Sequence, residues 1–252
     1  MPTSKHYSLL FKEYMIGSIL QPTYLPWIGY FEMISSANIF VIYDHVQFVK
    51  KSWHHRNRIK GPNGEIMLSI PVKKTPLATP LYRAQLAAEY QKVLEAHWIS
   101  ISHAYKKAPY FGMYAESLRE IFFSKYTFLT DVTEAFIHYF CIQLGITTKF
   151  VNSSNIPLCD SFVSPTDKVA DLCKKTNISS LYDAYGAQGI IDAIVLKRND
   201  IAISFQNYSH PVYSQQFGSF LPNMSIVDLM LNEGEKSLEI IKSGRRPPII
   251  RE

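Results

Sequence analysis

Between residues 16 and 44 the chain alternates in a way that few architectures accommodate. Residues 16–20, Ile-Gly-Ser-Ile-Leu, read as a strand, and Gln21-Pro22-Thr23-Tyr24-Leu25-Pro26 as the loop that leaves it, because neither proline can continue a hydrogen-bonded element. A short helix follows, with Trp27, Ile28, Phe31, Ile34 and Ser35 near 3.6-residue spacing. Ile39-Phe40-Val41-Ile42-Tyr43 is then an unbroken apolar run ending at Asp44, the pattern of a parallel strand buried on both faces. A β-loop-α-β opening of this kind predicts a parallel sheet wrapped by helices.

The following segment has a different character. Residues 56–60 and 65–72 flank Gly61-Pro62-Asn63-Gly64, a turn sequence that predicts an antiparallel hairpin. Helical spacing recurs over 90–107, 109–123 and 128–144, the last with Gly145 as its stop. Strands are expected at 147–151, 179–182 and 201–205, with helices starting at Ser164-Pro165 and near 190–197. The expected fold is α/β: a mainly parallel, Rossmann-like nucleotide-binding sheet with an antiparallel hairpin and a helical insertion at about 88–145. Residues 15–243 read as one domain, 1–14 as a flexible extension and 244–252 as a tail.

Charge narrows the function. With 26 Lys and Arg against 21 Asp and Glu, the net charge of +5 is too mild for a protein that coats DNA, and it gives tRNA no strong support as a partner. Cys141, Cys159 and Cys173 are odd in number and lack C-x-x-C spacing, which fits a reducing compartment and indicates no metal site. The amino terminus carries Lys5, Lys12 and Glu13 around its short apolar group, so neither a secretory signal nor a membrane span is expected, and a cytoplasmic location is.

Four segments are candidates for a site. The loop and helix start at 21–30 would lie beyond the carboxyl end of the first strand, where open α/β sheets bind ligands: Gln21 and Gly29 could approach a phosphate, and Tyr24, Trp27 and Tyr30 could flank a ring. A tight turn with core aromatics is the alternative reading. Asp44 and Gln47 follow the second strand toward the same edge; Asp44 could bind a ribose hydroxyl or take a proton from an amine, or be a solvated strand end. Residues 50–60 hold the densest basic cluster, in which Lys51, Arg56, Asn57, Arg58 and Lys60 surround Trp53 with no acid to offset them. That composition suits a diphosphate or triphosphate with a stacked base, although it also suits a solvated basic face. Residues 201–227 contain no Lys, Arg, Asp or Glu but are rich in amides and aromatics, among them His210, Tyr213, Gln216 and Asn223, which suits a hydroxyl-rich sugar. His210 could serve as acid or base, or simply be a hydrogen-bonded ring before Pro211; Ser225 and Asp228 follow, Asp228 reading equally as a helix-start acid.

These residues together resemble the WbqC-like proteins. The resemblance is carried by Ile19 through Phe31, by Asp44-His45-Val46-Gln47-Phe48, by Lys51-Ser52-Trp53 with Arg56-Asn57-Arg58-Ile59-Lys60, and by His210-Pro211-Val212-Tyr213, Gln216, Gly218, Phe220, Pro222 and Ser225-x-x-Asp228. It covers about residues 15–243, and His55 departs from it where a polar Asn or Gln is expected. The resemblance implies a bacterial protein of O-antigen or other surface-polysaccharide biosynthesis that attaches an aminoacyl group such as glycyl to a nucleotide-linked amino sugar. A second similarity, in layout, is to pantothenate synthetase: Pro22-Thr23, Trp27-x-Gly29-Tyr30, a strand and Val46-Gln47-Phe48. That class forms an acyl-adenylate and uses His-x-Gly-His where this chain has Trp-x-Gly-Tyr. Arg56, Arg58 and Lys60 would have to replace those histidines on ATP phosphates.

The expected activity is therefore an amide-forming transferase or ligase acting on a nucleotide diphosphate amino sugar, with Asp44 or His210 as base. Its amino-acid donor would be activated with ATP and magnesium or delivered as aminoacyl-tRNA. A noncatalytic nucleotide-sugar-binding protein and a nucleotidyltransferase are the alternatives.

Overall fold

The computed structural model describes residues 14–159 and 162–251. Residues 1–13, most of the expected extension, lie outside the described residues.

The β-α-β opening forms as its apolar pattern predicts. Strand β1 (Ile16–Leu20) leads through the proline-bounded loop to helix α1 (Ile28–Ser36) and strand β2 (Ile39–Ile42), and β1 pairs with β2 in parallel from Gly17↔Ile39 to Leu20↔Ile42. Every residue of β2 is buried, which is why it carries no polar alternation. The hairpin is β3 (Arg56–Gly61) and β4 (Gly64–Ser69), joined at Pro62-Asn63, with Gly64 at φ +111°, a conformation that favours glycine. Helices α2 (Tyr90–Tyr105), α3 (Phe111–Phe123) and α4 (Leu129–Gln143) follow, and the chain returns to the sheet as β5 (Lys149–Asn152), parallel to β2.

Direction then reverses. Helix α5 (Pro165–Lys175), opened by a Ser164–Asp167 capping box, carries the chain across to β6 (Ser180–Asp183) on the far side of β1. Helix α6 (Ala193–Arg198) and β7 (Ala202–Phe205) extend the sheet. Helices α7 (Ile226–Glu233) and α8 (Ser237–Ser243) precede a short antiparallel edge strand, β8 (Ile249–Ile250). The sheet order is β5-β2-β1-β6-β7-β8, a six-stranded, mostly parallel sheet beside a separate two-stranded hairpin. The topological switch point lies between β1 and β6, and ligands of open α/β sheets bind beyond strand ends at such a point.

Apolar cores fill both faces of the sheet. One gathers α1, the hairpin and α2–α4 with α7 around Phe31, Phe40 and Phe136, and the other packs α5 and α6 through Leu172, Leu181 and Leu196. The segment expected to be a tail is instead tied into the fold. Arg245 Nε donates to Glu32 Oε1 at 2.9 Å, and Glu32, 1% exposed, also accepts from Tyr182 and Gln206, so one buried carboxylate joins α1, β6, the β7 exit and the C-terminal segment. No helix among the described residues is long and apolar enough to cross a membrane.

Candidate functional site

Three of the four candidate segments meet beyond the carboxyl end of β1, and hydrogen bonds stitch them together. The Asn57 side chain donates from Nδ2 to the backbone carbonyls of Tyr24 (3.1 Å) and Leu25 (2.7 Å), while Tyr24 N donates to Trp53 O at 3.1 Å. On the other side of the hairpin Ser225 N donates to Arg58 O (2.9 Å) and Ile226 N to Pro26 O (2.8 Å). These bonds leave a cavity of about 320 Å³ lined by Thr23, Trp27, Tyr30, Trp53, Asn57, Arg58 and Asn223. That size is at the lower end for a small-molecule site.

Its walls are aromatic with guanidinium edges. Trp53 is 47% exposed, and the Arg56 and Arg58 guanidiniums lie 5.8 and 5.7 Å from its ring. Arg58 Nη1 also donates to both Glu65 oxygens at 3.0 and 2.9 Å, so the sequence's apparent lack of an offsetting acid is corrected across the hairpin. Opposite, Trp27 stacks on His210 with ring centroids 6.2 Å apart and meets Tyr208 edge-on. Gly29 lies beneath that indole: a Cβ there would come within 2.2 Å of the Trp27 ring. Its small size serves the tryptophan's seat rather than phosphate approach.

The histidines of the site are held neutral. His210 Nδ1 donates to Pro211 O at 2.8 Å and Nε2 accepts from Asn223 N at 3.1 Å, while burial pushes its pKa down. Both nitrogens are therefore engaged, and the ring supports Trp27 rather than standing ready as a base. His54, which was not among the expected ligands, is 5% exposed and donates from Nε2 to Gln21 Oε1 at 2.6 Å. Burial, and then the neighbouring His55, lower its pKa to about 4, and Nδ1 is left buried with no partner.

Several expected ligand residues are structural. Tyr24 is fully buried, its hydroxyl 2.9 Å from His97 Nδ1 and its ring edge-on to Phe136. Asp44 is 1% exposed and accepts from Ser153 Oγ (2.6 Å), Ser154 N (2.8 Å) and Ser154 Oγ (2.5 Å). Those bonds pin the β5 exit to the β2 exit and enclose the carboxylate expected to take a proton. Lys60 is buried and donates from Nζ to Ser219 O at 2.6 Å, so it is withdrawn from the cavity. Ser225 caps α7 by accepting from Val227 N, and Asp228, fully buried, accepts from Tyr105 and Tyr213 at 2.8 Å and from Gln215 at 2.7 Å. Gln216 donates to Asn232 at 3.2 Å, Lys51 N donates to His55 Nε2 at 3.0 Å, and Gln47 pairs its exposed backbone with Pro80; none of the three lines the cavity.

Thr23, absent from the expected ligands, lines it, as does Asn223 of the uncharged run. Asn223 sits at φ +60°, a turn conformation that asparagine tolerates, just before the Ser225 cap, and that local pattern was the available signal. Two charged groups away from the cavity were also missed. Glu134, bonded to Asn152, has its carboxyl pushed up to about 7 by burial, and Glu32 anchors the network with Arg245. Among the described residues no group of three or more His, Cys, Asp or Glu could hold a metal ion.

Comparison with known proteins gives a consistent result. The family model described as the WbqC-like protein family matches residues 21–240. An uncharacterized protein of Mycobacterium tuberculosis, Rv1507c, is 29% identical over 233 residues, covering 91% of this chain and 98% of its own. No solved structure matches.

Proposed function

The chain belongs to the WbqC-like protein family, and on that premise we propose that it is an amide-forming transferase or ligase. It attaches an aminoacyl group, such as glycyl, to a nucleotide-linked amino sugar in bacterial O-antigen or other surface-polysaccharide biosynthesis. One observation carries the reading: Trp53, flanked by two guanidiniums, lines the same cavity as Trp27 and Asn223. A nucleotide base stacks on Trp53, the diphosphate meets Arg56 and Arg58, and sugar hydroxyls reach Thr23 and Asn223. The amine must be neutral to attack an acyl carbon, but Asp44 is enclosed and both His210 nitrogens are bonded, so we assign neither as the base. The same observation favours a second reading, a noncatalytic nucleotide-sugar-binding protein of that pathway.

Mass spectrometry separates the two. A nucleotide-linked 4-amino sugar is incubated with the protein, ATP, magnesium and amino acids, with and without aminoacylated tRNA. An added aminoacyl mass is expected, and its cofactor requirement names the donor. No new mass with saturable binding selects the binding protein, and no binding at all overturns both.

A further inference from the structure

The exits of β2 and β5 frame a second cavity, of about 420 Å³, at the same carboxyl edge of the sheet. His45 and Ser154 stand on one side of it, Ile156, Pro157 and Leu158 form a wall, and Cys159, Phe162 and, from α5, Lys168 also line it. Nothing in the cleft around Trp53 uses these residues.

The polar groups of this cavity share one hydrogen-bond network with the buried Asp44 carboxylate. Ser153 Oγ has one proton and gives it to Asp44 Oδ1 at 2.6 Å. Ser153 Oγ also accepts from Asp44 N at 3.1 Å and His45 N at 3.3 Å and lies 3.0 Å from His45 Nδ1; with its proton on Asp44, that ring contact has Nδ1 as the donor, in the tautomer that carries the lone pair on Nε2. Among the described residues no protein donor meets Nε2. Ser154 Oγ likewise gives its proton to Asp44, at Oδ2, and retains acceptor capacity. Lys168 is exposed, its ammonium lies 5.9 Å from the Phe162 ring, and among the described residues no carboxylate pairs with it.

We infer that this cavity binds a free α-amino acid, its carboxylate on Lys168, its ammonium donating to His45 Nε2, and its side chain against Ile156, Pro157 and Leu158. An acceptor, a cation and an apolar wall around one space are the complement of a zwitterion with an apolar side chain. The buried Asp44 carboxylate behind His45 favours an ammonium over an uncharged hydroxyl at that position. A phosphate would meet one cation and two acceptors, a poor match. Held there, the amino acid would be the donor substrate of the reaction proposed above, while its binding rests on His45, Lys168 and the apolar wall and not on that reaction.

The test follows the His45 imidazole nitrogens by long-range proton–nitrogen NMR, the signal being identified by its loss in His45→Gln. Leucine, glycine, lactate, acetate and inorganic phosphate are titrated in turn. The expected spectrum is the Nδ1–H tautomer, with a saturable Nε2 shift for leucine, a weaker one for glycine and none for the other three at the same concentrations. Lys168→Met, a change at an exposed position, is expected to weaken leucine binding about three- to ten-fold with the tautomer and thermal unfolding unchanged. No saturable shift with any amino acid would overturn the site, as would equal binding by Lys168→Met or acetate and phosphate binding as tightly as leucine. Amino-acid binding without turnover keeps this site and removes the reaction; turnover only with aminoacyl-tRNA, without amino-acid binding, does the reverse.

Discussion

Glu134 offers a quantitative test of the electrostatics at the sheet edge. It lies on α4 and accepts from Asn152 Nδ2 at 2.8 Å. Burial raises its carboxyl from 4.5 to about 7; the Asn152 bond opposes that rise and the Asp44 carboxylate adds to it. Because the folded pKa exceeds the unfolded one, the folded state binds this proton more tightly. The stabilising contribution is fully present below about pH 4.5 and is lost as pH rises through 7. A rise of about 2.5 pH units at ~1.36 kcal/mol per unit sets a ceiling of about 3.4 kcal/mol. Residual solvent contact reduces this to about 1–3 kcal/mol. Glu134→Gln keeps an acceptor for Asn152 and abolishes the titration. In urea unfolding at pH 4, 6 and 8, the variant's stability relative to wild type is expected to climb by that amount between the lowest and highest pH. A difference that stays flat, or that turns toward wild type at pH 8, would refute the assignment of a buried, proton-holding carboxyl.

Three further outcomes follow from the same geometry. Trp53→Ala removes a half-exposed ring, so it should weaken nucleotide-sugar binding measured by calorimetry by about 1–3 kcal/mol while leaving the melting temperature within a degree or two. Asp228→Ala leaves the hydroxyls of Tyr105 and Tyr213 and the Gln215 amide without their acceptor and exposes Lys60 to an uncompensated interior, at a cost of about 3–5 kcal/mol in chemical denaturation. Gly29→Ala drives a methyl into the Trp27 ring, and the overpacking should cost about 1–3 kcal/mol and change the near-ultraviolet circular dichroism of the indole.

Much of the architecture was legible because it is written in short-range chemistry. Prolines at 22 and 26 bound the β1 exit, Gly-Pro-Asn-Gly marks the hairpin, and Ser164-Pro165 with Asp167 starts α5. The meeting of the 21–30 loop, the basic hairpin and the uncharged run was foreseeable only in outline, and the structure brings Trp27, Tyr30, Trp53, Asn57 and Arg58 to one cavity. What the sequence withheld is how each polar end is occupied. Lys60 reaches a carbonyl 159 residues away and Asp44 two serines about 110 away, contacts that no local pattern encodes. The C-terminal segment misled for the same reason, since its partner Glu32 lies on α1, 213 residues earlier, and β8 pairs as an antiparallel edge strand with β7.

The central claim, that a nucleotide-linked amino sugar binds between Trp53 and Trp27, has a built-in reporter in the three tryptophans. Trp53 and Trp27 line the cavity, whereas Trp98 packs in the helical block against Phe111 and Phe122. Indole proton–nitrogen spectra recorded during titration with a nucleotide diphosphate 4-amino sugar should show the Trp53 and Trp27 signals moving together to saturation while Trp98 stays fixed. Three unmoved indoles at millimolar ligand, or a shift confined to Trp98, would contradict it.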